Sequence, residues 1–450
     1  MKKYVSMILA LVLSLSMAAC TASGSTIQSA AQDSSAETST SESATTDNAS
    51  EQGGSEGTTE ITFWYANDIQ DMVDTMVEDF NSTVGEEKGV HVTAEYQGNY
   101  VELQQKLQAA AVAKTVPDVT VLEISAISNF AQGNVIAPLD DYIAADNADN
   151  VDMTDFWEGM LYNCKINDQY YSMPFLRSTT IMFLNNSLIE EAGLDPDELK
   201  TWDDVVEYSR IIKEKTGKYG LSTCGYNWFF ESMMLSQGSS VLNADETATN
   251  MNTDTAKEII SMIKQMKDDG TAHIYTTSEL DKLTMDLMNQ NAAIFLNSTA
   301  GCSQVRQVAE EQGFDFQANF MPMGTQYGTS AGGCNLAVTS AIDDAHKQAA
   351  WEFVKWMTEA DQTIYSSQQT GYLVTRKSAS EAPEMESWYE QYPEYKVAID
   401  QLQYATGRPV TPSYTEIDLE IDEALDNIWC SDADMDSTLA DLESHINGLL

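Results

Sequence analysis

Residues 61–96 read ITFWYANDIQDMVDTMVEDFNSTVGEEKGVHVTAEY, and the apolar spacing within them changes period twice. Ile61, Phe63 and Tyr65 alternate as on a strand. Met72, Val73, Met76, Val77 and Phe80 recur as on a helix face, and Val90, Val92, Ala94 and Tyr96 alternate again. This is the pattern of a β-α-β unit. Leu103, Leu107, Ala110 and Ala111 mark the next helix, which Pro117-Asp118 ends, and Val119, Val121 and Leu122 form an apolar run of the kind a parallel strand buries on both faces. Glu123 stands where that strand runs out. Open parallel sheets bind ligands at the carboxyl ends of their strands, so Glu123 is a candidate site residue, although a solvated strand-end acid would look the same.

The alternation continues in a second half. Residues 180–184 read as a strand, 186–192 as a short helix stopped by Gly193, and 203–215 as a helix whose N-cap is Thr201 in a Thr-x-x-Asp box. Residues 254–267 carry Ile259, Ile260, Ile263 and Met266 on one face, and 292–296 form another apolar strand with Ser298 just past its end. A helix at 302–311, a Gly-rich turn at 328–333, a strand at 336–339 and a helix at 345–357 follow. The fold class expected is α/β.

The 450 residues suffice for two or three domains. A formal charge of −47 repels nucleic-acid phosphates, so no nucleic-acid partner is expected, while 43% hydrophobic residues indicate a folded body with an acidic surface. Lys2 and Lys3 precede an apolar stretch that closes on Met17-Ala18-Ala19-Cys20, which reads as a signal segment over 1–19 followed by a lipidated Cys20. Residues 20–58 are Ser, Thr, Ala, Gly and acids with almost no large apolar side chain, a disordered tether. The membrane is then an address reached only through the lipid.

Little in the chain supports catalysis. Cys164, Cys224, Cys302, Cys334 and Cys430 are widely spaced, read best as buried small hydrophobes, and include no Cys-x-x-Cys; Cys302 with Cys334 stays open as a pair. The four histidines stand in unrelated surroundings, and no metal or cofactor is expected. Asp432, Asp434, Asp436 and Glu443 have calcium-loop spacing, but Ser437 replaces the glycine that loop needs. Leu439, Leu442, Ile446 and Leu449 instead predict a helix from near Ser437.

Several segments together carry a resemblance: Ile61-Thr62-Phe63-Trp64, Gly98-Asn99-Tyr100, Tyr170 through Phe175, Asn185 through Pro196, Thr201-Trp202-Asp203-Asp204 and Thr370 through Val374, behind a lipobox and a tether. The chain resembles the family 1 extracellular solute-binding proteins of ABC importers, and within them it is most similar to those that bind glycerol-3-phosphate. The resemblance implies a two-lobed, type II periplasmic-binding-protein-like fold, with crossing strands as hinge and the ligand in the cleft. Lobe 1 is expected at 59–180 plus 325–342 and lobe 2 at 181–324 plus 343–450, with hinge strands near 179–184 and 321–333.

The ligand-binding residues it implies are Tyr100, Glu123, Ser178, Ser298, Gly332, Tyr372 and Arg408, with tyrosine and acid on hydroxyls and arginine, serine and backbone amides on phosphate. Arg177 and Trp228 depart from the relatives' pattern and join as candidates, Arg177 as a partner for an anion or a sugar rim, or as half of a salt bridge. Trp228 would stack on a sugar. The expected partners are a sugar or glycerol phosphate and the ABC permease subunits, and the expected state is an extracytoplasmic monomer anchored through Cys20. No enzymatic activity is implied. A surface glycosidase, which needs two carboxylates across the cleft where Glu123 alone is evident, and a sensing or adhesion module are the competing readings.

Overall fold

The computed structural model describes residues 57–450; the signal segment, Cys20 and most of the tether lie outside them. In chain order the elements that position the site are β1 (Thr59–Tyr65), α1 (Gln70–Ser82), β2 (Val90–Tyr96), α2 (Tyr100–Ala113), β3 (Val119–Glu123), β4 (Met173–Asn185), α3 (Trp202–Thr216), β5 (Tyr219–Cys224), α4 (Asn227–Ser236), α5 (Asp254–Asp268), β6 (Ala272–Tyr275), β7 (Ala292–Ser298), α6 (Cys302–Gln312), β8 (Phe316–Asn319), β9 (Thr329–Val338), α7 (Asp344–Met357), α8 (Ala360–Thr370), β10 (Ala405–Thr406), α9 (Tyr414–Cys430) and α10 (Met435–Leu449).

One sheet runs in the order β2-β1-β3-β9-β4-β7-β5-β6, with β8 added to β4 and β10 to β9. The β-α-β unit is as the spacing predicts: β1 and β2 are parallel and in register from Thr59↔Val90 to Tyr65↔Tyr96. Two strands belong to both ends of the sheet. The end of β9, Cys334–Val338, pairs antiparallel with β3, and its middle pairs with Thr179–Arg177 of β4. From Thr180 onward β4 pairs with β7, and from Met182 also with β8. These crossing strands are longer than expected at 179–184, and the second begins at Thr329 rather than near 321. All thirteen residues of β4 are buried.

Strand alternation assigns the faces of β4. Met182 and Leu184 enter a core shared with Trp202, Phe230, Ile260, Trp429 and Leu439, whereas Ile181 and Phe183 enter one shared with Val305, Ile364 and Tyr395. A separate core joins β1, β2, β3, α1 and the end of β9. Helix α7 packs there too: Phe353 lies edge-on to Phe63 and Phe80, with ring centroids 5.3 and 5.1 Å apart, and Trp356 to Phe80 at 5.5 Å. Its amphipathic pattern predicts burial but not the partner, and 343–357 thus departs from the lobe 2 expected of it.

Local signals are otherwise legible. Asp204 N–H donates to Thr201 Oγ1 at 3.1 Å and Thr201 N–H to Asp204 Oδ2 at 2.8 Å, the reciprocal box that starts α3. Helix α10 starts at Met435, two residues before Ser437, because Asp434 caps it by accepting from Ser437 N–H at 2.9 Å. Asp432 pairs with Lys264 and Lys267, and Asp436 with Lys257. Those acids therefore face lysines, and the described residues hold no group of three or more metal-ligating side chains. The five described cysteines are free, which leaves Cys302 and Cys334 unpaired, in different cores. No helix of the described residues is long and apolar enough to cross a membrane.

Candidate functional site

Glu123 ends β3 as the apolar run predicts, and its carboxylate turns back to accept from Ser125 N–H at 2.9 Å and from the Ser125 hydroxyl. Its other oxygen lies 3.6 Å from Arg408 Nη1. Burial raises the Glu123 pKa, opposed by Arg408 and by the Ser125 bonds. Arg408 itself is 3% exposed. Asn163 fixes its main chain from both sides, accepting from its N–H at 3.0 Å and donating to its carbonyl at 2.9 Å.

Two of the three nitrogens of the Arg408 guanidinium are hydrogen-bonded to carboxylates. Nε donates to both oxygens of Glu231 at 3.1 and 3.2 Å, and Nη2 to Glu231 Oε1 at 2.9 Å and to Asp418 Oδ1 at 2.6 Å. Burial would lower its pKa, but Asp418 and Glu231 more than reverse this and hold it well above the ordinary value. Glu231 also accepts from Ser330 Oγ at 2.5 Å and from the Tyr414 hydroxyl. Asp422 accepts from Asn227 N–H at 2.6 Å, and the Asn227 amide donates to Asp418 at 2.7 Å and to the Tyr414 oxygen at 3.2 Å. Burial, with Asp418 close by, pushes the Asp422 carboxyl up to about 8.

Glu231, Asp418, Asp422, Asn227 and Tyr414 are absent from the residues expected. Two signals mark them. Glu231 is a lone acid in the apolar run Trp228-Phe229-Phe230-Glu231-Ser232-Met233-Met234, and an acid is almost never fully buried unless paired. Tyr414, Asp418 and Asp422 recur every four residues, a polar stripe beside the buried Ile417, Ile421 and Leu425 of α9. Glu123 is therefore not the one acid at this point: Glu231 and Asp418 join it within 3.6 Å of the Arg408 guanidinium.

The aromatic wall stands at the start of α4. Tyr226 lies edge-on to Trp228, with centroids 6.1 Å apart, and burial raises its phenol pKa above the ordinary range despite the nearby Arg408. Trp228 Nε1 donates to Ala331 O at 3.1 Å, so the indole lies over β9. Gly332 is what makes room: a Cβ there would sit 2.4 Å from the indole ring and 3.1 Å from Ser178 Oγ. Ser178 faces Gly332 in the β4–β9 register.

Arg177 points elsewhere. Successive side chains of a strand leave opposite faces, so the neighbour of Ser178 is turned from Trp228. Arg177 is 0% exposed, Nη1 donates to Asn335 Oδ1 at 2.7 Å, and Nε and Nη2 have no hydrogen-bond partner. Among the described residues it forms no ion pair, and burial lowers its pKa. Opposite it Gly333, with φ 90°, opens the bulge that shifts the β9 register before Asn335.

Tyr100 opens α2 behind an Asn99–Glu102 capping box, and its phenol lies against Cys334 and Tyr372. Burial raises the pKa of both tyrosines, that of Tyr372 to about 12. Leu373 N–H donates to Arg177 O at 2.8 Å, which ties the Tyr372 segment to β4. Ser298 ends β7 opposite Thr180 and its Oγ accepts from Ala300 N–H at 3.1 Å; among the described residues no hydrogen bond or ion pair joins its side chain to the other expected residues. The structure thus gathers Glu123, Arg408, Ser178, Gly332 and Trp228 in one region, and Tyr100 with Tyr372 in the next.

Comparison with known proteins follows the same lines. A family model described as bacterial extracellular solute-binding protein matches residues 75–397. The sn-glycerol-3-phosphate-binding periplasmic protein of Pectobacterium atrosepticum is 22% identical over 398 residues, covering 84% of this chain and 88% of its own. Among solved structures, the cyclic alpha-maltosyl-1,6-maltose binding protein of Arthrobacter globiformis superposes with TM-score 0.75 at 24% identity, covering 87% of this chain and 99% of its own. UgpB of Mycobacterium tuberculosis in complex with glycerophosphocholine superposes with TM-score 0.77 at 22% identity, covering 87% and 98%. These neighbours share the two-lobed α/β fold expected from the sequence.

Proposed function

Because this chain belongs to the bacterial extracellular solute-binding protein family, we propose that it captures a sugar or glycerol-phosphate-type solute in its cleft and hands it to the permease of an ABC importer. Relatives and structural neighbours point to those two ligand classes. The observation that carries the reading is the meeting at Arg408 of Glu123, from the first core's strand β3, with Glu231 and Asp418, from helices of another core. Polar groups from two separately packed halves converge on one point beside the Tyr226–Trp228 wall. Lobe 1 is then 59–180 with 325–342 and helix α7, and lobe 2 is the remainder. The crossing strands β4 and β9 serve as hinge, and a solute that touches both halves favours the closed state.

Tyr100, Glu123, Ser178, Trp228, Gly332, Tyr372 and Arg408 are assigned to this cleft, with Ser298 at its edge and Arg177 behind it. No catalytic role is assigned: the carboxylates a glycosidase would need free on either side of a sugar are engaged by Arg408. The protein works as a monomer outside the cytoplasm, held to the membrane through Cys20, which lies outside the described residues. The test is a thermal-shift and small-angle scattering screen of the intact protein against saccharides and glycerol phosphates. A solute that raises the melting temperature and contracts the particle is expected. A panel that leaves both unchanged overturns the reading.

A further inference from the structure

The residue that the resemblance assigns to a phosphate already has its charge matched by three carboxylates. A guanidinium has five N–H groups in a fixed fork. Those of Arg408 on Nε and Nη2 go to Glu231 and Asp418, and Nη1 faces Glu123 at 3.6 Å. The side chain cannot swing toward a new anion without abandoning the buried Glu231, because Asn163 pins its main chain. Gly407 is held as closely, since a Cβ there would lie 2.4 Å from the Tyr162 ring.

The surroundings would repel an anion in any case. Glu123, Glu231, Asp418 and Asp422 share this one paired cation, and burial first, and then the neighbouring Asp418, raises the Asp422 carboxyl pKa. The other buried guanidinium nearby, Arg177, stands on the opposite face of β4 from Ser178 and is closed from solvent. What the region offers a solute is therefore carboxylate oxygens, which accept from hydroxyls, and an aromatic wall whose indole N–H is already used.

Resting on the solute-binding reading above, we propose that this cleft selects a neutral polyhydroxylated solute, a saccharide or polyol that donates to Glu123 and Asp418, and excludes solutes bearing phosphate. The proposal separates this chain from the relatives named for glycerol-3-phosphate and from the neighbour seen with glycerophosphocholine.

The experiment has two arms on the intact protein. In the first, thermal shift and calorimetry compare matched probes, glucose with glucose-6-phosphate and glycerol with glycerol-3-phosphate, beside maltose, larger saccharides and glycerophosphocholine. At least one saccharide is expected to bind, and every phosphate to bind at least tenfold more weakly than that saccharide. A phosphate bound more tightly than all the saccharides overturns the proposal.

The second arm needs no knowledge of the natural solute. The Glu231→Gln/Asp418→Asn variant frees the Arg408 fork, and inorganic phosphate should then protect it at concentrations at least tenfold below any that act on wild type. Equal response in the two proteins overturns the proposal. Glu123→Gln, on the exposed side of the cluster, makes the same comparison if the double variant does not fold. Should no organic probe bind wild type, the solute-binding reading fails, while the phosphate comparison still decides whether the cluster excludes anions.

Discussion

Two arginines lie hidden near the crossing strands, and their surroundings are opposites. Arg408 faces three carboxylates within 3.6 Å, and its charge is fixed more firmly than in water. Arg177 has one neutral amide as partner, two nitrogens with none, and a charge that burial makes costly. Exposure alone, 3% against 0%, would rank them together. The difference teaches that a buried charge has to be read through its partners: one arginine draws together acids from two cores, while the other sits inside β4 with two of its nitrogens unpartnered.

That contrast breaks most readily at Arg408. Arg408→Ala leaves the buried Glu231 and the half-buried Asp418 and Glu123 without their cation and should lower stability by about 3–5 kcal/mol, read by urea unfolding. An unchanged midpoint would mean the cluster is not buried in solution. Gly332→Ala comes next, because Trp228 or β9 must shift to admit a Cβ; the cost should be about 1–3 kcal/mol, and the near-ultraviolet dichroism of the indole should change with it. Arg177→Met should do the reverse of Arg408→Ala, since an apolar chain of similar length replaces an under-satisfied charge. No loss of stability and a gain of about 1 kcal/mol are expected.

The comparison is sharpened separately through pH. Asp422 has its folded-state pKa raised from 3.8 to about 8, so between those values the folded state holds a proton that the unfolded state has released. Its contribution is complete below about pH 4 and is lost as pH rises through about 8. Stability should therefore fall over this window in wild type and fall less in Asp422→Asn, measured by unfolding midpoints at pH 5 and pH 8. Parallel profiles would place Asp422 in water.

How far the sequence speaks follows from the range of each signal. The β-α-β unit and Glu123 at its strand end are local facts, carried by alternation and by the place where an apolar run stops. Arg408 and Glu231 are 177 residues apart, and no periodicity links them. The lone acid in an apolar helix and the four-residue stripe of α9 announce that something buried needs a partner without naming it. Arg177 and Ser178 show the limit of a motif: adjacent in sequence, they serve opposite faces of one strand. The pattern of α7 predicts a buried stripe with equal ease for either half of the molecule.

That helix has a consequence for how the polypeptide reaches its destination. Phe353 and Trp356 complete the core begun by Phe63 and Phe80, and between them in the chain lie β5, β6 and β7, the far edge of the sheet. The amino-terminal half therefore cannot mature while the ribosome is still making the middle of the chain, for its last wall has not been synthesised. A contact that joins Phe63 to Phe353 closes a very long loop, and completing the first core is therefore a late event in folding.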